Sequence, residues 1–376
     1  MFQNTSSADK SQGFRLKNYL SGPIAASAEL SLAGSYIEPF SMSRVLELNP
    51  NIREELLNTS MHYPGADGSL VLREAVAARF NIQPSQTILT EGADGAIQSL
   101  YRAVLEPGSK VLVQVPGYEP LKATALGLGC EVIDWDCLPE NNWIPSLEQL
   151  EDNLKSGLDA VVINVPHNPT GWMPSESYCE QLIQLCDQHG TLLIADEIYL
   201  GLPSDRPFTP FSTRYEKAVS IGGLSKAFGL PALRVGWLAS QNKEVIDKVR
   251  LSRTYGNAFI SALSEAVALT ILRHADHVLG FNSEQRQQGF ALMQQFVANN
   301  AKHLSWLEPE GGVTGFFKLA DGINSSNFAR HAVESFKLLL VPSALFDAGE
   351  NHLRLGFGLA STETALERLQ DVFDAQ

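Results

Sequence analysis

Between Gly68 and Ser240, short and nearly continuous apolar runs alternate with segments whose apolar residues recur at helical spacing. Such runs are typical of parallel strands buried on both faces, with helices packed on either side of the sheet. We therefore expect an α/β fold whose large, mostly parallel sheet is sandwiched by helices. The predicted strands are Thr87–Thr90, Lys110–Val115, Ala160–Val165, Thr191–Ala195, Ala218–Ile221 and Val235–Ala239.

The length of the chain, 376 residues, favours two domains, because one hydrophobic core rarely serves a chain of this size. A change to short strands and helices near Glu308–Gly312 predicts a smaller α+β domain. We predict a large domain at 42–272, a small C-terminal domain at 273–376, and a segment, 1–41, that forms an arm and joins the small domain. Met1–Gln12 is polar and without apolar periodicity, which indicates a frayed end or an arm ordered against another surface.

The charge of the chain argues against several classes of partner. With 28 basic and 42 acidic residues, the formal net charge is -14, which disfavours nucleic acid and anionic membrane surfaces. The four cysteines lack C-x-x-C spacing, and no apolar run approaches the roughly eighteen residues of a membrane helix. We therefore expect a reduced, cytoplasmic protein. His274 and His277 share a predicted helix without a third ligand, so no metal site is predicted.

Two ionisable residues follow neighbouring predicted strands. Lys226 lies among glycines and a serine after Ala218–Ile221, and Asp196 directly follows Thr191–Ala195. A lysine in this setting can form a Schiff base with an aldehyde, and an aspartate can keep a pyridine nitrogen protonated. Together they predict a site for pyridoxal 5'-phosphate. An exposed surface lysine and a structural ion pair are the simpler alternatives, but both fit these surroundings less well.

Further candidate cofactor contacts follow the first two predicted strands. Gly92, Ala93 and Asp94 open a helix after Thr87–Thr90, and backbone amides at such a position can hold a phosphate. Tyr118 follows the next strand and can stack on a pyridine ring. Taken alone, an ordinary turn and a tyrosine packed under a loop explain these residues equally well.

The turn Pro166–Gly171 is more specific, because it places Asn168 directly after an apolar strand. Asn168 can donate a hydrogen bond to the phenolic oxygen of the cofactor, and Tyr199 can donate a second. Arg234 offers a phosphate two parallel donors, and Ser225 adds a hydroxyl. The carboxyl ends of parallel strands share one edge of a sheet, so these side chains are expected to meet there.

With these residues in place, the chain from about Tyr63 to Gly358 resembles the class I and II aminotransferase superfamily of fold type I pyridoxal-phosphate enzymes. The stretch Tyr63–Gly68, followed by Leu72-Arg73, is similar to one in which the tyrosine reaches the phosphate of the neighbouring subunit. The resemblance therefore implies a homodimer in which Tyr63 acts across the interface.

The resemblance also implies that Arg354, in a short strand of the small domain, binds the α-carboxylate of an amino-acid substrate, with Asn168 beside it. Bidentate pairing suits that role. One position departs from the family, since Gly223 stands where members commonly carry a phosphate-binding serine. Phosphate binding then depends on Ser225, Arg234 and the other donors.

The expected activity is that of an enzyme acting on a free α-amino acid through an external aldimine and removal of the Cα proton by Lys226. An aminotransferase is the leading prediction. Similar motifs occur in cyclases that convert hydroxylated arginines to cyclic guanidino amino acids and in some carbon–sulfur lyases, and a regulator that has lost catalysis is a further alternative. The motifs do not separate these activities. They also do not rank Tyr36 and Glu38, two candidates for side-chain specificity.

Overall fold

The structure is a computed structural model that describes residues 13–202, 207–256 and 258–375. The predicted arm at Met1–Gln12 lies outside the described residues. The strands are β1 Leu30–Ser31, β2 Thr87–Thr90, β3 Lys110–Val115, β4 Glu131–Asp136, β5 Ala160–Asn164, β6 Leu192–Asp196, β7 Ala218–Gly223, β8 Gly236–Ala239, β9 Leu304–Trp306, β10 Thr314–Leu319, β11 Leu338–Leu339, β12 Val341–Pro342 and β13 His352–Gly356.

Helices separate most of these strands. They are α1 Arg15–Ser21, α2 Pro23–Ala26, α3 Met42–Leu48, α4 Ile52–Leu57, α5 Leu70–Phe80, α6 Gly92–Val104, α7 Glu119–Gly127, α8 Leu147–Lys155, α9 Glu176–His189, α10 Phe211–Arg214, α11 Lys243–Arg253, α12 Ala262–Arg273, α13 Ala275–Asn299, α14 Ser325–Phe336 and α15 Thr362–Asp374.

The large sheet has seven strands in the order β2-β8-β7-β6-β5-β3-β4. All of its strands run in one direction apart from β8, which is antiparallel to both β7 and β2. The prediction of a mostly parallel α/β sheet is confirmed, and the inclusion of Val235–Ala239 among the parallel strands is wrong. A parallel return requires a crossover over a sheet face, usually through an α-helix, whereas the connection between β7 and β8 contains only a single helical turn at Pro231–Leu233 and returns the chain in the opposite direction.

Apolar side chains fill the space on both sides of this sheet. On one face Val111, Val162 and Ile221 belong to a cluster that includes buried residues of α6 and α11. On the other face Val161 and Leu193 pack with residues of α8 and α9. Strands buried on both faces have no polar side to show, which explains their nearly continuous apolar sequence.

A second sheet, antiparallel throughout, has the order β12-β13-β10-β9. Beside it, β1 and β11 form a short parallel pair in which Leu30 lies opposite Leu338. The first described strand thus joins the C-terminal third of the chain. The predicted domain boundaries remain predictions.

The helix predictions agree with the structure in detail at two points. Ser146 caps α8 by accepting a hydrogen bond from the Gln149 amide, as the capping-box spacing indicates. The helical stretch predicted from about 260 to 299 is present but is divided at His274 into α12 and α13. Among the described residues, no helix combines the length and the apolar character needed to cross a bilayer. The four cysteines are buried and free.

Candidate active site at the carboxyl ends of the strands

Three neighbouring strands bring their last residues to one edge of the large sheet. Asn164 at the end of β5 lies opposite Asp196 at the end of β6, and Asp196 lies opposite Ile221 in β7. Lys226 follows β7 after two residues. The convergence expected from parallel strands therefore places Asp196 and Lys226 in the same region.

Asp196 is buried, with 2% of its surface exposed. Its Oδ1 accepts a hydrogen bond from the Ile198 amide at 3.2 Å. The pKa of the carboxyl is raised to about 7, chiefly by burial and also by the charge of Asp94, while the Ile198 hydrogen bond and the charge of Lys226 act in the opposite direction. A cationic ring nitrogen placed against this carboxyl would stabilise its ionised form.

The amine of Lys226 is half-buried and donates a hydrogen bond to Ser35 Oγ at 2.9 Å. It also lies 5.7 Å from the ring centre of Tyr36 and 5.9 Å from that of Tyr199. Burial, followed by the charge of Arg354, lowers the pKa of the amine to about 8. A lysine of this kind is partly neutral near physiological pH, as a nucleophile or base must be.

Asn168 and Tyr199 are held by their neighbours on the sheet edge. The backbone N–H of Asn168 donates to Asn164 Oδ1 at 2.7 Å, and Asn164 Nδ2 donates to the Asp196 carbonyl at 2.9 Å. The Tyr199 hydroxyl donates to the Ser35 carbonyl at 3.0 Å, and burial raises its pKa to about 12. The backbone of Asn168 and the side chain of Tyr199 are therefore held in place on this edge of the sheet.

Arg354 is almost fully buried, with 1% of its surface exposed. Its Nη2 donates to the Ala33 carbonyl at 2.5 Å and its Nη1 donates to Asn168 Oδ1 at 3.4 Å, while Nε has no hydrogen-bond partner among the described residues. No carboxylate pairs with it there, and burial lowers its pKa to about 10. A buried guanidinium without a counter-charge is suited to bind an anion supplied by a ligand.

The predicted phosphate residues surround the first turn of α6. Gly92, the first residue of that helix, has φ +70°, and a Cβ on it would lie 2.5 Å from Arg234 Nη2. Arg234 Nη2 lies 3.8 Å from Asp94 Oδ2, and the Tyr118 hydroxyl donates to Asp94 Oδ1 at 2.8 Å. Helix amides at Gly92 and Ala93 and a half-exposed guanidinium thus form one positively polarised corner. Ser225, in the loop that carries Lys226, is buried.

The departure at Gly223 has a packing explanation. Gly223 lies opposite Gly236 in the β7–β8 pair, and a Cβ at 223 would lie 3.0 Å from the Val235 carbonyl oxygen and 3.1 Å from Ile198 Cδ1. A Cβ on Gly236 would lie 2.3 Å from the Gly92 carbonyl carbon. Close packing of β7, β8 and the start of α6 therefore leaves little room for a serine at 223.

Tyr63 lies apart from the other candidates within one chain. It is 84% exposed, and its ring contacts that of Phe259 with centroids 4.8 Å apart. Other large apolar side chains near it in sequence or space are also exposed; they are Leu57, Met61 and Tyr255. A role for Tyr63 in the site thus depends on a second subunit, as the sequence prediction states.

Three site residues were not predicted. Asn164 interrupts an apolar strand and so gave a usable signal. His167 is buried and links two site loops, with Nε2 bonded to the Pro116 carbonyl at 2.8 Å and Nδ1 to Thr170 Oγ1 at 2.8 Å. Since a carbonyl only accepts, the proton is on Nε2. Ser35 lies in a loop without a motif, 191 residues from Lys226, and no local signal pointed to it.

The donors and acceptors at this edge fit pyridoxal 5'-phosphate. Asp196 supplies a buried carboxyl for the ring nitrogen, the Gly92 corner supplies phosphate donors, and Lys226 supplies a partly neutral amine. No cluster of metal-ligating side chains occurs among the residues that the structure describes.

Comparison with known proteins agrees with this fit. Residues 41–373 match the family model described as aminotransferase class I and II. The chain is 29% identical over 347 residues to capreomycidine synthase of Streptomyces vinaceus, covering 91% of this chain and 88% of that protein.

Two solved structures are also similar over nearly their whole length. A PLP-dependent aminotransferase from Streptococcus suis has a TM-score of 0.92 at 27% identity, covering 96% of this chain and 98% of that one. The PLP-dependent cyclase OrfR has a TM-score of 0.84 at 25% identity, covering 96% and 97%. The chain therefore belongs to the class I and II aminotransferase family, and it is an enzyme that depends on pyridoxal 5'-phosphate.

Proposed function

We propose that the enzyme transfers the amino group of a free α-amino acid, with Lys226 as the cofactor-binding lysine and the base. The observation that carries this proposal is the setting of Arg354. Its guanidinium is buried and has no carboxylate partner among the described residues, and it lies close enough to Lys226 to lower the pKa of that amine. An arginine so placed can hold the α-carboxylate while the substrate's Cα faces the lysine. A free α-amino acid is the simplest ligand that supplies both groups.

Bound pyridoxal 5'-phosphate supplies an electron-withdrawing ring that makes the Cα proton acidic. Lys226 would remove that proton and return it at another carbon. Asp196 would keep the ring nitrogen protonated, because a buried carboxylate is stabilised by a cation placed against it. Asn168 would donate a hydrogen bond to the phenolic oxygen, and Tyr199 would donate a second once its single proton turns away from the Ser35 carbonyl.

The phosphate would bind at the start of α6. The amides of Gly92, Ala93 and Asp94, the hydroxyl of Ser225 and the guanidinium of Arg234 are the donors within the chain. Tyr118 would cover the ring, since its hydroxyl is already fixed by Asp94. We further propose a homodimer in which the partner subunit's Tyr63 completes the phosphate site, because this tyrosine is exposed beside other apolar side chains.

The half-reaction tests the proposal. The enzyme loaded with cofactor is incubated with a panel of α-amino acids and no keto acid, and pyridoxamine phosphate is measured by absorbance and mass spectrometry. We expect pyridoxamine phosphate to accumulate to one equivalent per active site. Addition of a keto acid should then release the corresponding amino acid. Lys226→Ala should not react, and borohydride should fix the cofactor to Lys226 in the wild type alone.

A cyclase is the second candidate, because the chain resembles both capreomycidine synthase and the cyclase OrfR. In such a reaction Lys226 would again remove the Cα proton, a leaving group would depart from the side chain, and an internal nitrogen would add. With a hydroxylated arginine, water is the leaving group. The test is whether a product lighter than its substrate by one water forms continuously without any keto acid. If it does, cyclisation becomes the proposed function instead of transamination.

A further inference from the structure

The side chain of Ser35 contacts the amine on which the proposed chemistry depends. Its hydroxyl oxygen lies 2.9 Å from Lys226 Nζ. Ser35 belongs to the loop that follows β1, and Lys226 to the loop that follows β7, so two distant parts of the chain meet at this hydrogen bond. No sequence motif marks Ser35.

The loop that carries Ser35 is held at several points. The Ser35 carbonyl accepts from Tyr199, and the Ala33 carbonyl accepts from Arg354. Gly34 is packed so closely against β13 that a Cβ on Gly356 would lie 1.8 Å from the Gly34 carbonyl oxygen. The backbone that carries the Ser35 hydroxyl is therefore fixed relative to Lys226.

Lys226 is also surrounded by charges of both signs. The charges of Asp94 and Asp196 favour its ammonium form, whereas those of Arg354 and Arg234 disfavour it. The rings of Tyr36 and Tyr199 lie within 6 Å of the nitrogen. Because its pKa is lowered to about 8, the amine occurs both as an ammonium and as a neutral amine near physiological pH. Its hydrogen-bond partner must therefore suit both forms.

A hydroxyl is able to do this. It accepts from an ammonium, and it donates to a neutral amine by rotating its own proton. A carbonyl or a carboxylate only accepts, and an ammonium or a guanidinium only donates. Ser35 therefore provides a partner that need not be exchanged when Lys226 gains or loses a proton.

We propose that Ser35 is a positioning residue that holds the Lys226 nitrogen in one place while it removes and returns the substrate proton. The proton passes between substrate carbon and Lys226, and Ser35 keeps its own. This inference rests on the proposed function, in which Lys226 is the base.

The test uses Ser35→Ala, Ser35→Thr, which keeps the hydroxyl, and Ser31→Ala as a matched control. Ser31 is the last residue of β1, and its Oγ accepts a hydrogen bond from the Ala33 amide at the start of the same loop. It does not bond to Lys226. In the cofactor-free protein, the pKa of Lys226 is measured from the pH dependence of its acylation rate by mass spectrometry. Ser35→Ala should lower it by about 0.5 to 1 pH unit, because a hydrogen bond to the charged form is the stronger one. Ser35→Thr and Ser31→Ala should not lower it.

In the holoenzyme, exchange of the substrate Cα proton in D2O is measured for the same variants. A loss of about tenfold or more in Ser35→Ala, with near wild-type exchange in Ser35→Thr, is expected. Equal pKa values and exchange rates in wild type and Ser35→Ala would overturn the proposal, as would equal effects of Ser31→Ala. If borohydride failed to fix the cofactor to wild-type Lys226, the proposed function would fall, and the cofactor-free pKa comparison would still decide whether Ser35 controls this amine.

Discussion

Replacing Arg354 by methionine should separate the stability of the protein from its capacity to bind amino acids. Arg354 is buried, donates to the Ala33 carbonyl and to Asn168, and has no carboxylate partner among the described residues. Breaking a buried ion pair usually costs about 3–5 kcal/mol, because it leaves a charge without compensation. The Arg354 charge has no such partner in the wild type, so its removal relieves a burial penalty and costs only hydrogen bonds.

Burial lowers the pKa of the Arg354 guanidinium from 12.5 to about 10. This change corresponds to about 3 kcal/mol of lost stability while the group is charged, and at pH 7 the full penalty is present because both values lie above that pH. Methionine removes the penalty but also removes two hydrogen bonds from a charged group, about 1.5 kcal/mol each. The two effects balance to within about 1 kcal/mol.

We therefore expect the free energy of unfolding of the cofactor-free Arg354→Met protein to lie within about 1 kcal/mol of wild type. Urea unfolding followed by intrinsic fluorescence measures it, with Arg368→Met as a control that removes an arginine bonded to the Phe336 carbonyl. Binding of an α-amino acid to the holoenzyme should weaken roughly 10²- to 10³-fold, because a bidentate charged contact is lost. Binding of the matching amine without a carboxylate should not change.

A destabilisation of 3 kcal/mol or more in Arg354→Met would mean that the guanidinium has a structural counter-charge. Unchanged discrimination between the amino acid and its decarboxylated amine would show that Arg354 does not meet the α-carboxylate. Either result would refute the reasoning. Arg354→Lys, which keeps the charge but not the paired donors, should show a smaller but clear loss of discrimination.

Three further predictions concern other parts of the site. Burial raises the pKa values of Asp196 and Glu197 to about 7 and about 8, whereas it lowers those of His167 and His352 from 6.5 to about 4, so the two pairs oppose each other at lower pH. Once the histidines are neutral in both states, the two carboxyls dominate, and the stability of the cofactor-free protein should fall from about pH 6.5 to about pH 7.5. Urea titrations should show a smaller fall in Asp196→Asn. The variants Lys226→Ala and Tyr63→Phe are mixed in equal amounts and refolded together. If the tyrosine acts across a dimer interface, about one quarter of wild-type activity should return, because half of the dimers are mixed and each mixed dimer has one complete site. If the tyrosine acts within its own chain, activity should not exceed the Tyr63→Phe background. His167→Ala should lower the free energy of unfolding by about 2–3 kcal/mol through loss of two buried hydrogen bonds, and a loss below about 0.5 kcal/mol would contradict the assigned bridging role.

The strands and the central chemistry were predictable because they depend on local sequence. Apolar runs marked β2, β3 and β5 to within one residue, since a strand buried on both faces has no polar side. Lys226 and Asp196 were recognisable from their position directly after such runs. The fold class and the cofactor both followed from these patterns.

Other features depend on contacts between distant segments and had no local signal. The edge strand β4 has no such signal, because three acidic residues interrupt the apolar ones in Glu131–Asp136. The reversed direction of β8 follows from a connection to β7 that contains no crossover α-helix. The contact of Ser35 with Lys226 arises only when the N-terminal segment packs on the large sheet. The bond of Arg354 to the Ala33 carbonyl arises only when the N-terminal and C-terminal parts of the chain pack together.

The bond between Ala33 and Arg354 has a consequence for the order in which the enzyme acquires its function during synthesis. The two residues are separated by 321 positions. At about 5–20 residues per second, a ribosome delivers the arginine on the order of 15–60 s after the alanine. Until β11 has been synthesised, Leu30 of β1 also lacks the strand that it pairs with, and so it is exposed to misfolding or to chaperones. Amino-acid recognition should therefore be among the last properties to appear on the nascent chain, after the sheet that binds the cofactor has formed.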